Sequence, residues 1–307
     1  MRVHVRVPAS SANLGPGFDA LGLALALHNE VIAAEAPGVT VTIEGEGRGR
    51  LAPGEKNVVA RGVRLAYDTV GRPFKGVALT CVNRIPLARG LGSSAAAWVG
   101  GLVAGNALLG APLDPPALLT LAARAEGHPD NVAAALLGGL TVSSMTPAGA
   151  TAVSLAVPGR LCWVVLIPEV TSATSEARAV LPATVPREDA VFNVQRVALL
   201  LAALQAGRLD LLPGALDDRL HQPYRVKLFP WMPDVAAAAR AAGALGCVLS
   251  GAGPALLAVV NGGGDEVARA MEAALSAAGL AGHARALAVD SGGALTQVDA
   301  PGPGGRP

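Results

Sequence analysis

The chain has 307 residues, 51% of them hydrophobic, enough for a large core and for two domains. A formal net charge of +1 and only 3% aromatic residues argue against a nucleic-acid partner, which needs a basic surface or stacking platforms. The three cysteines, Cys81, Cys162 and Cys247, lie far apart in apolar runs and read as reduced core residues, not as a disulfide framework or zinc site.

Residues 2–7 alternate Arg and His with Val, the period of a half-buried strand, and no apolar signal-peptide run accompanies them, so a cytoplasmic protein is expected. Apolar runs over 21–27 and 31–34 and alternation over 39–44 predict further strands. The spacing of Val59, Val63, Leu65 and Tyr67 predicts a helix over 56–70. A strand over 77–82 then leads through a glycine-rich turn into a helix of small residues over 95–109. Gly90 to Leu113 carries no charge, but glycines and Pro112 break it, so it reads as a buried helix and no membrane span is expected. A second helix runs from 116 to 125, and a polar turn over 126–131 enters a third, stopped by Gly138 and Gly139 before a strand over 140–144. A Pro/Gly/Ala patch over 147–150 sets a domain boundary near 155. Beyond it, strands are expected over 161–167, 246–249, 255–260 and 284–289, and helices over 173–181, 188–206, 234–243 and 265–278. Runs of adjacent strands point to α+β, in two domains of 1–155 and 156–300. The tail over 301–307, PGPGGRP, is expected to be disordered.

Residues 86–96 (Pro86, Leu87, Ala88, Arg89, Gly90, Leu91, Gly92, Ser93, Ser94, Ala95 and Ala96) carry the most chemistry. Gly90 and Gly92 let backbone approach a ligand closely, and the helix behind them aims free N–H groups and its positive dipole end at the turn. That makes a phosphate site, with a tight strand–helix connection as the plain alternative. Ser93 and Ser94 add hydroxyls for phosphate or Mg²⁺. A Walker A loop is ruled out, since no glycine is followed by Lys-Ser or Lys-Thr. The dinucleotide fingerprint fits 90–95, with Asp114 roughly 20 residues on. However, Asp114 precedes Pro115 and Pro116, and so reads as a helix N-cap instead of a strand end.

Four further clusters qualify. Asn13 and Asp19 sit on a glycine-bent loop after the first strand, and can address an amino group or cap their own backbone. Glu126, His128, Asp130 and Asn131 crowd one helix–helix turn: Glu126 can hold Mg²⁺ and Asp130 or Asn131 a hydroxyl, or one of the latter can serve as N-cap. Arg178 and Arg225, in separate polar segments, suit bidentate binding of a carboxylate, though an arginine is more often a solvated surface charge. The turn over 250–255 reads either as a hairpin connection or as a wall of the phosphate pocket.

Six segments, in order, resemble the GHMP small-molecule kinases, and most closely those that act on L-homoserine: VPASSANLGPGFDALGLAL (7–25), PLARGLGSSAA (86–96), EGHPDNVAAALLGG (126–139), TSATSEARAVLP (171–182), DRLHQPYR (218–225) and SGAGPALLA (250–258). The resemblance implies a ribosomal-S5-domain-2-like N-terminal domain binding ATP and a ferredoxin-like C-terminal domain, with the active site between them. It implies ATP-dependent phosphorylation of the L-homoserine side-chain hydroxyl for threonine synthesis. By motif, residues 86–96 would cradle ATP, Asn57 would lie on the adenine side, and Ser94 and Glu126 would ligate Mg²⁺. Asn13, Asp19, His128, Asp130, Asn131, Thr174, Arg178 and Arg225 would form the substrate pocket, the arginines taking the carboxylate and Asp19 with Asn13 the ammonium. Asp130 and Asn131 would orient the reacting hydroxyl without acting as a strong base.

The chain departs from the family pattern at Ala134, where proline is frequent, and at Ala252 and Ala255, where hydroxyl residues are common. Ser10 and Ser11 stand where several relatives carry a lysine. A mevalonate-type kinase and a non-catalytic ligand sensor on the same fold are the competing readings. A homodimer is expected, as the commonest oligomer.

Overall fold

The computed structural model describes residues 1–299; the tail over 301–307 lies outside them. The first half contains β1 (Arg2–Ala12), β2 (Leu21–Glu35), β3 (Gly38–Gly45), α1 (Val58–Thr69), β4 (Gly76–Asn83), α2 (Ser93–Leu108), α3 (Pro115–Glu126), α4 (Asp130–Leu137), β5 (Leu140–Thr146) and β6 (Gly149–Leu155). The second contains β7 (Leu161–Pro168), α5 (Thr174–Ala179), α6 (Arg187–Ala206), a 3₁₀ turn (Leu209–Leu211), α7 (Leu212–Ala215), α8 (Gln222–Arg225), α9 (Met232–Ala241), β8 (Gly246–Leu249), β9 (Leu256–Asn261), α10 (Asp265–Ala277), β10 (Gly282–Leu287) and β11 (Leu295–Asp299).

Two sheets result. The first runs β11-β1-β2-β4-β3, with β5 on β2 and β6 on β5, and only β3–β4 is parallel. The second runs β10-β7-β9-β8, all antiparallel. Its chain order, β7-α9-β8-β9-α10-β10, is the βαββαβ pattern of a ferredoxin-like domain. The expected α+β class is therefore what the chain forms. The chain passes from one sheet to the other between Leu155 and Leu161, yet β11 returns to pair with β1, so residues 295–299 belong to the first sheet.

Local sequence explains most boundaries. Asn57 caps α1 and Asp114 caps α3 by accepting from the backbone two and three residues on, at 2.9 Å each. Gly138, at φ +74°, ends α4. Two strands are longer than their patterns suggest. β1 continues past Pro8, which has no N–H for the ladder, because the register slips there between Pro8 and Ala9. That bulge also joins the two apolar runs of β2 into one strand. β7 is apolar at every position because both its faces are covered. Trp163, Val165 and Ile167 join the core shared with the first sheet, whereas Val164 and Leu166 pack under α9 and α10.

The uncharged segment after residue 90 forms a buried core helix, and among the described residues no helix is long and apolar enough to cross a membrane. Twelve of the sixteen α2 residues are buried, between α1 on one side and β1 and β2 on the other. Close approach to α1 depends on glycine: a Cβ on Gly101 would fall on the Val59 carbonyl oxygen. Gly101→Ala therefore sets a helix-propensity gain of about 1 kcal/mol against overpacking of about 1–3 kcal/mol. We expect overpacking to win, with a net loss of about 1 kcal/mol in urea unfolding.

Candidate active site

The turn between β4 and α2 lies where the two sheets meet. Gly90 and Gly92 adopt φ +76° and +69°, and Ala88 also takes a positive φ of 54°. A Cβ on Gly92 would collide with the Ser10 hydroxyl, and one on Gly90 with the Ser250 carbonyl. Protein groups take the carbonyls of the whole turn. Ser172 N–H donates to Ala88, Ala255 N–H to Arg89, the Ser250 hydroxyl to Gly90 and Ser10 N–H to Leu91, at 2.6–3.2 Å. The Arg89 guanidinium is committed as well, to the carbonyls of Leu87, Pro168 and Glu169 at 2.6–2.9 Å. Arg89 thus ties the turn to the end of β7, and its contribution to the turn is backbone.

What remains for a ligand is N–H. No described side chain caps α2, and its ladder begins with Ala96 N–H donating to Gly92, leaving the amides before it without helical acceptors. These amides carry the positive end of the dipole of a sixteen-residue helix. The Ser94 hydroxyl donates to Glu126 Oε2 at 2.7 Å, joining the first turn of α2 to the end of α3. Burial raises the Glu126 pKa, and the charge of Asp130 adds to the shift, against the Ser94 hydrogen bond and His128.

The cleft continues from this helix end to the arginines, with a volume of about 630 Å³. Asn13, Asp19, Glu126, His128, Asp130, Asn131, Thr174, Arg178 and Arg225 all line it, together with Pro86 and residues 88–94. Asp130, 2% exposed, accepts at Oδ1 from His128 Nδ1 at 2.7 Å and from Asn131 N–H at 2.6 Å. Burial works against a charged His128, but the hydrogen bond and charge of Asp130 outweigh it, so the imidazole pKa is raised. Asn131 Oδ1 accepts from Ser10 at 2.9 Å, which leaves its NH₂ for the cleft.

At the far end Asp19 and Arg178 form a bidentate pair at 2.7 and 3.0 Å. Asn13 is engaged inside the protein, donating to Gly251 O and accepting from Asp19 N–H, so it shapes the loop and holds Asp19 in place. Arg225 is 2% exposed and donates to the carbonyls of Ala177 and Gly251. Burial, with repulsion from Arg178, lowers its pKa to about 10, still charged at neutral pH.

Some predicted residues lie elsewhere. Asn57 and Leu87 line a second cleft of about 860 Å³, which meets the first at Ala88, Ser93 and Ser94. The Asn57 side chain is spent on Val59 N–H and Ala52 O. Ala95 and Ala96 are buried behind the turn. Phe18 was not singled out from the sequence, yet both arginines lie over its ring, at 5.5 and 5.6 Å. Only its place between Asn13 and Asp19 hinted at this.

An uncapped helix start opening beside an acid–arginine pair suits an anionic ligand next to a small polar one. Residues 57–139 match the family model of the GHMP kinases N terminal domain and residues 200–277 that of the GHMP kinases C terminal. Homoserine kinase of Moorella thermoacetica is 49% identical over 95% of this chain and 98% of its own length. That of Gloeobacter violaceus is 49% identical over 84% and 87%. The crystal structure of homoserine kinase from Cytophaga hutchinsonii superposes with a TM-score of 0.88 at 32% identity, covering 96% of this chain and 97% of that one. The chain belongs to the homoserine kinase branch of the GHMP kinases.

Because Gly92 combines positive φ with contact to Ser10 and Asn131, Gly92→Ala is expected to weaken ATP binding at least tenfold in calorimetric titration. The melting temperature should fall by only a few degrees.

Proposed function

We propose that this GHMP kinase transfers the γ-phosphoryl group of ATP to the side-chain hydroxyl of L-homoserine, giving O-phospho-L-homoserine and ADP. The Asp19–Arg178 pair beside the buried Arg225 carries the choice of substrate. An amino acid brings one carboxylate and one ammonium, so it can part the pair and satisfy both halves. Its carboxylate takes Arg178 and Arg225, and its ammonium takes Asp19. A hydroxy acid such as mevalonate would satisfy the arginines and leave Asp19 without a cation. Homoserine kinase relatives matching nearly the whole chain point the same way, and neither a mevalonate-type kinase nor a sensor is favoured.

In this reading the triphosphate rests on the free amides at the start of α2, with the base in the adjoining cleft at Asn57 and Leu87. The γ-phosphorus forms its new bond to the homoserine oxygen as its bond to the β-phosphate oxygen breaks. Asp130, whose Oδ2 has no partner among the described residues, and Asn131, through its NH₂, orient the hydroxyl. The proton leaves late, since a loose transition state needs positioning and charge neutralisation more than an early base. Arg178, Arg225, Thr174 and His128 fix the rest of the amino acid against the cleft wall.

The donor set also fits Mg²⁺. Ser94 and Glu126 offer hard oxygens 2.7 Å apart, and among the described residues no cluster of three or more His, Cys, Asp or Glu could cage a metal. Such a pair suits an ion that keeps waters and shares phosphate oxygens. When bound, Mg²⁺ neutralises phosphate charge. The free thiols of Cys81, Cys162 and Cys247 suit a reducing cytoplasm, and a two-fold dimer is the assembly we assign by frequency.

The test is ADP release with ATP, Mg²⁺ and L-homoserine, mevalonate, L-threonine or L-serine; turnover chiefly with mevalonate would sink the assignment. Asp19→Asn gives a sharper check. The pair is 36–39% exposed, so its loss should change stability by at most about 1 kcal/mol. Losing the bond to the ammonium should raise KM for homoserine about 10–100-fold, leaving KM for ATP unchanged.

A further inference from the structure

Behind the arginine end of the cleft lies a fully buried imidazole that the proposed chemistry does not use. His221 is 0% exposed. Its Nδ1 lies 3.1 Å from Arg225 Nη1, and its Nε2 lies 2.8 Å from the Gly15 carbonyl oxygen. These partners determine the tautomer. A guanidinium can only donate and a carbonyl can only accept, so Nδ1 must accept and Nε2 must carry the proton. Only the neutral Nε2–H imidazole satisfies both neighbours. Phe18 stacks on the ring at 5.2 Å, and the Arg225 guanidinium lies over that same Phe18. Asp218, its side chain fully buried, holds the backbone in place by accepting from the N–H groups of His221 and Gln222.

From this geometry we infer that His221 is a positioning residue: as a neutral imidazole it locks Arg225 and the Gly15–Asp19 loop into one carboxylate- and ammonium-binding unit. The inference rests on the substrate assignment above. His221 fixes Nη1 of Arg225, and the carbonyls of Ala177 and Gly251 fix its other bonds. Nη2 is then the part of the guanidinium with no partner among the described residues. On its other side His221 holds the loop from which Asp19 reaches Arg178. One ring therefore sets the distance between the two ends of a zwitterion's binding site.

Protonation would break this arrangement, because Nδ1–H would face the guanidinium. The charged groups around the ring are Asp218 from the loop before α8, Arg225 from α8 and Asp19 from the Gly15–Asp19 loop. Burial, with Arg225 behind it, outweighs Asp218 and Asp19 and lowers the His221 pKa. The neutral form is thus kept at neutral pH and lost only on acidification.

The test compares wild type with His221→Leu, which removes both bonds, and His221→Gln, which can donate to Gly15 and accept from Arg225. At pH 8 the Leu variant should raise KM for L-homoserine about tenfold or more while KM for ATP stays within about twofold. The Gln variant should restore KM to within a few-fold of wild type. Equal rises in both KM values, or a Gln variant whose KM for homoserine rises tenfold or more while KM for ATP does not, would overturn the role, and the Gln result decides even if the Leu variant fails to fold. A wild type inactive on homoserine would instead remove the substrate assignment, whatever the variants do.

Discussion

Everything in the cleft depends on a helix start left uncapped in its wall. An unpaired buried N–H costs about 1–3 kcal/mol, so proteins normally cover the start of a helix with a side chain. Asn57 and Asp114 do this for α1 and α3, but α2 opens with two glycines and receives no side-chain cap. The turn before it cannot fold back to help. Its carbonyls and the Arg89 guanidinium are consumed by hydrogen bonds, largely to the second sheet. The end of β7 and the loops flanking the second sheet thereby hold the glycine turn of the first in shape. A single apolar core runs through both, with Leu23 and Leu25 in one half and Trp163 and Val165 in the other. Neither half contains a complete site.

The cleft is electrostatically divided. At one end stand the helix dipole and a two-oxygen Ser94–Glu126 set, suited to a polyanion with its cation. At the other stand two arginines and Asp19. Exposure decides how the second end can work. A deeply buried ion pair resists separation, because each freed charge loses several kcal/mol of solvation. Asp19 and Arg178 are more than a third exposed, so their attraction is largely screened, which is what the proposed exchange of partners with a zwitterion requires. Arg225, buried and held by Ala177, Gly251 and His221, is the fixed member beside this partly exposed pair.

Local physics was legible in the sequence, and long-range pairing was not. The glycine turn, the Asp114 cap, the Gly138 stop and the alternation of β3 depend on residues a few positions apart, and each forms where its pattern indicates. The five motif clusters also meet in one cleft. By contrast, β11 is five exposed residues whose partner strand lies at the opposite end of the chain, and β6 followed a glycine in a segment that read as a boundary. Nothing local distinguishes such strands from loops. The same limit hid side-chain commitments. The Arg89 guanidinium, in the turn expected to cradle ATP, is spent on three carbonyls, and Asp19 and Arg178 are 159 positions apart. His221 did carry a signal, since it lies four residues before Arg225, the spacing that places two side chains on one helical face.

The first loop explains how the cleft can dispense with a lysine. Asn13, Leu14 and Asp19 all take positive φ, which costs non-glycine residues about 1–3 kcal/mol each. The strain is held by contacts on both sides: Leu14 is buried in the shared core, Asn13 is bonded to Gly251, and Gly15 is bonded to His221. Bending the chain this way brings Asp19 to Arg178. It also leaves the buried Ser10, just before the bend, against Asn131. A lysine at Ser10 would add a charge and several methylenes where Gly92 already lies against the hydroxyl. With a hydroxyl there, Asn131 is oriented by Ser10 and Asp130 by His128, without a lysine beside the carboxylate. In the proposed reaction, geometry and the α2 dipole then carry the transfer, the division of labour a loose phosphoryl transition state favours.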